Sequence, residues 1–169
     1  MRAPFLICLA GLLFLTGCAN YRLGTGAQLS FRTIHIAPVV NESNIPQAVA
    51  IVSTQLRETF LRDPRVILVN TPEEADVTLS VHLVNYGRVM QTRLTTDTGL
   101  ARKFDVSLDA EATLRDNRDN KLVFENRKVS ATRQIFTDGR QQLQAEYQNV
   151  PLLAESLAKN VLGATLDVW

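Results

Sequence analysis

From Phe104 to Leu114 the chain alternates without a break. Phe104, Val106, Leu108, Ala110, Ala112 and Leu114 fall on one side, and Asp105, Ser107, Asp109, Glu111 and Thr113 on the other. A period of two fits a half-buried strand and no helix, because successive strand side chains point to opposite faces. Val77, Leu79, Val81 and Leu83 repeat the pattern, with Thr78, Ser80 and His82 opposite, and this strand runs on toward Met90. Lys121 to Ile135 returns as a third strand, whose alternation fails near Asn126-Arg127-Lys128, as at a bulge. A Thr-rich loop over 91–100 joins the first two strands, and Asp116-Asn117-Arg118-Asp119-Asn120 turns the second into the third. The three form a meander with one apolar face, and that face needs a covering layer.

Two amphipathic segments supply it. Between Pro46 and Arg62, Val49, Val52, Leu56 and Phe60 recur at three- and four-residue spacing, which predicts a helix against a sheet. Asp63-Pro64 ends it, since the residue before a proline is driven from the helical region. From about Arg140 to Val168, Leu153, Leu157, Val161 and Leu162 make a second stripe. Pro151 lies inside this segment, so the helix either starts near Asn149 or continues through the proline. Two further β segments, Thr33–Val40 with Pro38 near its end and Val66–Val69, flank the first helix. The expected fold is α+β: a two-layer sandwich, two helices packed on one face of a mixed four- to five-stranded sheet. Phe60, Leu79, Leu108 and Leu157 should lie between the layers, and the other sheet face should be polar and uncovered.

The first residues have a different purpose. Met1-Arg2 is followed by an uncharged apolar run, Phe5 to Leu15, too short for the ~20 residues a membrane span needs. It has the length of a signal-peptide core. Its end, Leu15-Thr16-Gly17-Cys18, resembles a bacterial lipoprotein signal, in which the cysteine is acylated and becomes the mature N-terminus. Residues 1–17 are therefore read as signal peptide, 18–32 as a lipidated linker without core, and 33–169 as the folded domain. A multiply acylated Cys18 would tether that domain to a membrane. Ala19, where enterobacterial lipoproteins retained at the inner membrane carry Asp, implies the outer membrane by the same resemblance.

Removing the signal leaves about 150 of the 169 residues, enough for one ordinary domain. The charges balance, with 18 Lys and Arg against 17 Asp and Glu. A nucleic-acid binder would show a strong basic excess, so none is expected as partner. Cys8 falls in the signal and Cys18 is the lipid site, which leaves no disulfide. His35 and His82 sit in strands with no nucleophile singled out beside them, so no catalytic residue is assigned. The 116–120 turn lacks the glycine and closing glutamate of a calcium loop. No metal site and no cofactor are expected, and an enzyme is not.

The lipoprotein signal, Asn20-Tyr21-Arg22-Leu23 after it, Glu74-Ala75-Asp76-Val77-Thr78-Leu79 at the entry to the central strand, and Tyr86-Gly87-Arg88 together resemble the LptE family. The family's opening Cys-Gly-Tyr pattern is displaced by one residue here. The resemblance implies a non-catalytic outer-membrane lipoprotein that plugs the barrel LptD and helps deliver lipopolysaccharide to the outer leaflet. A second resemblance, carried by Ile34-His35-Ile36-Ala37-Pro38-Val39-Val40-Asn41-Glu42-Ser43 and the helix after it, is to lipoproteins of the LpoB and CsgG type, which activate peptidoglycan synthases or form export pores. Under the first, phosphates of lipopolysaccharide would meet two groups of cations: Arg88, Arg93, Arg102 and Lys103 around the first hairpin, and Arg127 and Lys128, with Arg133, on the third strand.

Overall fold

A computed structural model describes residues 29–90, 102–137 and 142–167. Its elements run β1 (Thr33–Ile36), β2 (Val40–Asn41), α1 (Ala48–Arg62), β3 (Ile67–Val69), a short 3-10 turn (Pro72–Glu74), β4 (Val77–Met90), β5 (Arg102–Asp116), β6 (Lys121–Thr137) and α2 (Gln142–Leu166). They form one mixed sheet, ordered β3-β1-β4-β5-β6, with β2 also beside β4. β1 is parallel to β3 and β4, while β4-β5-β6 is the antiparallel meander. The expected two-layer α+β sandwich is present, with six strands rather than four or five. The added strand has a simple cause. Pro38 has no N–H to give, so the ladder along β4 opens after Ala37 donates to the Leu79 carbonyl and closes again at Val40, opposite His82.

α1 buries Ala48, Val52, Leu56 and Phe60, and α2 buries Leu153, Leu157 and Val161. They meet Leu79, Leu83, Leu108 and Leu114 of the sheet, all essentially inaccessible to water. α2 passes through Pro151 as one helix. It is fastened along β6 at three places. Arg133 Nε donates to Asn149 Oδ1 (3.1 Å), Asn160 Nδ2 to the Ser130 carbonyl (2.8 Å), and Arg127 Nη1 to the Ala164 carbonyl (2.5 Å).

The described chain is already attached to the fold ahead of β1. Phe31 is buried and Leu29 packs on the core. A clasp then fixes the chain. Asp76 Oδ2 accepts the N–H groups of Arg32 (2.8 Å) and Thr33 (2.9 Å), and the Asp76 N–H returns a bond to Thr33 Oγ1 (2.8 Å).

Two irregularities decide which way side chains point. In β4, Leu83 lies opposite Ala110 but Asn85 lies opposite Asp109, so Val84 is an inserted residue. Beyond it the even-numbered residues, not the odd, share the helix side. In β6 the register shifts around Asn126, whose φ of 47° is a left-handed conformation that asparagine tolerates. Thr113 Oγ1 accepts the Asn126 N–H there (3.1 Å). This bulge is the one the broken alternation announced.

Candidate functional site

The three long strands converge on one end of the molecule, over 86–90, 102–106 and 133–137. Arg88 lies opposite Val106 on the helix side, with its guanidinium 5.6 Å from the centre of the Phe104 ring. This distance suits a cation–π contact. Lys103 lies opposite Phe136 on the uncovered face. On that face Val89 is 61% and Phe136 64% exposed, an apolar pair beside a lysine that sequence reasoning missed. The signal was available: Val89 and Phe136 each keep the phase of the buried residues that precede the bulge in their strand, and the bulge turns both outward. Gly87, opposite Ser107, leaves room for a neighbour, since a Cβ there would stand 2.7 Å from Ser107 Oγ.

The cations named from sequence do not all gather here. Arg88 and Lys103 are at this end, on opposite faces of the sheet. Arg102 is placed there by its strand position opposite Thr137. Arg93 and Cys18 lie outside the described residues. Arg127 is occupied with α2, and its guanidinium also stands 4.0 Å from the centre of the Phe124 ring. Arg133 bonds Asn149 on the same side. Lys128, opposite Glu111, is on the uncovered face eight residues along β5 from Lys103, a separation of roughly 27 Å. Two clusters therefore do not merge into one patch.

Elsewhere on the uncovered face, Asn85, Asp109, Glu111, Lys128 and Ser130 line a shallow depression of about 330 Å³ beside the β4 bulge. Asn85 Nδ2 and Ser130 Oγ both donate to the Asp109 carboxylate (3.0 and 2.5 Å). His82 Nδ1 stands 3.9 Å from Glu42 Oε1 on this face. Among the described residues, no group of three or more His, Cys, Asp and Glu side chains is placed to hold a metal ion.

The opposite end is held by close ion pairs, three of them across a single residue and one, Arg65–Asp167, between distant parts of the chain. Arg65 binds Asp63 and Asp167, Arg118 binds Asp116, and Lys121 binds Asp119. The Arg118 hydrogen bonds draw the Asp116 carboxyl down to about 2. Asp76 is likewise held below the ordinary carboxylate range, by the Thr33 N–H first and the Arg32 N–H second.

Solved structures share this architecture. The hypothetical protein CT253 from Chlamydia trachomatis superposes with a TM-score of 0.53 at 9% identity, covering 79% of this chain and 94% of that one. The uncharacterized lipoprotein B from Nitrosomonas europaea superposes with a TM-score of 0.50 at 19% identity, over 83% of this chain and 87% of that one. Identities this low speak to the fold alone. A comparison with curated proteins finds no match. A family model described as lipopolysaccharide-assembly matches residues 31–162, from the buried Phe31 to the last turns of α2. Of the two resemblances in the sequence it is the first that this match bears out, and the chain belongs to the LptE family.

Proposed function

We propose that the protein is a non-catalytic, lipid-anchored component of lipopolysaccharide assembly at the outer membrane, acting as plug and partner of the LptD barrel. The observation that carries this reading is the family match across the whole sandwich. Cys18 is the acylated residue, and the domain hangs from it on the periplasmic side. The hairpin end supports a cargo role, because it sets Lys103 beside exposed Val89 and Phe136, with Arg88 at the same end on the helix side. Phosphate and acyl chain are the two chemistries of lipid A, and a cation next to an apolar surface suits both. The phosphate site in this reading narrows to Arg88, Arg93, Arg102 and Lys103. Arg127 serves the fold, and Lys128 stands apart.

Two measurements test it. Affinity purification from envelopes should recover an outer-membrane barrel, and recovery of a peptidoglycan synthase instead would refute the partner. Lys103→Glu combined with Arg93→Glu should weaken binding of rough lipopolysaccharide several-fold at low salt, with little effect in high salt. Thermal stability should barely move. Undiminished binding at low salt rules out this phosphate site.

A further inference from the structure

Among the described residues β6 has a neighbouring strand, β5, on one side only. The register decides which residues turn toward the open side. The Asn117 N–H bonds the Asp76 carbonyl, so odd-numbered β5 residues aim their backbone groups at β4 and even-numbered ones at β6. Val129, Ala131, Arg133 and Ile135 pair with even-numbered β5 residues and close that ladder. Lys128, Ser130, Thr132, Gln134 and Phe136 therefore point N–H and carbonyl outward. The Ser130 carbonyl accordingly takes its bond from Asn160 of α2 (2.8 Å). The two halves of this edge differ. Toward the ion-paired end it is bulged at Asn126 and capped by Asn160, two devices that keep a further strand away. From Thr132 to Phe136 it carries no proline, lysine or bulge, and Thr132, Gln134 and Phe136 are exposed and uncharged. Their outward groups have no backbone partner among the described residues.

We infer that the edge from Thr132 to Phe136 pairs antiparallel with the same edge of a second copy of this chain, joining the two sheets into one. Pairing centred on Gln134 sets Thr132 opposite Phe136 of the second copy, a favourable match of β-branched and aromatic side chains. Gln134 then meets its own counterpart and Arg133 meets Ile135, so no like charges stand opposite each other. α2 supports the same contact. Asn149 and Asn160, about three turns apart, both reach β6 and mark the helix face directed to this edge. Leu152 flanks that face, on the side away from the buried Leu153, and is 39% exposed. An adjoining sheet brings a second α2 alongside, and Leu152 is the apolar side chain it covers. This pairing is a state of the chain apart from any barrel, and it stands whether or not the lipopolysaccharide reading does.

The test uses the full chain in detergent, with mass followed by light scattering as concentration rises. The wild type should pass from monomer to dimer. Gln134→Pro should keep its melting temperature, because proline is tolerated where the N–H points out of the sheet, and should stay monomeric. Gln134→Lys sets like charges opposite each other and should weaken dimerisation several-fold. In membranes under mild oxidation, Gln134→Cys should give a disulfide-linked dimer, since hydrogen-bonded strand partners stand about 5.5 Å apart. Lys128→Cys, in the capped half, should give none above the wild-type background. A wild type that stays monomeric overturns the inference, as does a dimer that survives both Gln134→Pro and Gln134→Lys, or a crosslink equally strong from 128. If Gln134→Cys links only to a different protein, the edge belongs to a foreign strand and the second copy is refuted as its occupant.

Discussion

Asp76 joins stretches of chain far apart in sequence. Its carboxylate takes two N–H groups from Arg32 and Thr33, and its carbonyl accepts the Asn117 N–H from the β5–β6 turn (2.8 Å). Asn117 Nδ2 in turn donates to the Ala75 and Pro72 carbonyls. Replacing Asp76 with Asn removes charge from both carboxylate bonds and should cost about 1–2 kcal/mol at neutral pH. The native carboxyl is depressed, so its contribution is complete above the unfolded value of about 3.9 and is lost as pH falls through the native one. Urea titrations should therefore show the wild type losing its advantage over Asp76→Asn as pH drops below about 4. Parallel pH curves for the two proteins would assign Asp76 no role in acid stability. The residue stands in the Glu74–Leu79 stretch that carried the family resemblance, but nothing in the sequence reveals that its partners lie 43 and 44 residues upstream.

Elements were legible wherever burial imposed a period. β5 is the clearest: its six alternating apolar residues from Phe104 to Leu114 are all buried. Leu108→Ala should cost about 2–5 kcal/mol, because a side chain only 1% exposed leaves a cavity in the middle of the sheet. A loss under about 1 kcal/mol by denaturant unfolding would mean that the site collapses around the missing atoms. Legibility failed where one extra residue enters a strand. Counting on from Val77 puts Arg88 on the uncovered face, whereas the insertion at Val84 sets it on the helix side. The adjacent Leu83-Val84 pair hinted at this, but alternation alone does not reveal which residue is extruded. Arg127 was opaque for a related reason. A guanidinium on a half-exposed strand reads as a ligand for phosphate, and only the placement of α2 shows that it satisfies the Ala164 carbonyl at the end of a helix.

On the scale of the whole molecule the chain enters the sheet at the end opposite the hairpin cations. Thr33 lies beside Ile67, and Ile34 beside Val77, where β4 begins. Met90 is thirteen residues farther along β4, roughly 43 Å away. Leu29 lies eleven positions after Cys18, a stretch of chain that spans at most about 40 Å. In the lipid-anchored reading proposed above, the tether would join the fold at this ion-paired end. Cys18→Ala should leave an unprocessed precursor and abolish stable attachment after alkaline extraction of membranes. A processed, membrane-bound Cys18→Ala protein would refute lipid anchoring at this residue. The insertion at Val84 has a reach of its own on this scale. Because strand sides are set by parity, the hairpin end runs out of phase with the body of β4. Deleting that one residue would make Leu83 and Asn85 consecutive opposite Ala110 and Asp109, so Arg88 would stay opposite Val106 and Val89 opposite Asp105, each on its present side. A lineage could therefore gain or lose the extra residue without turning a single charge from one side of this domain to the other.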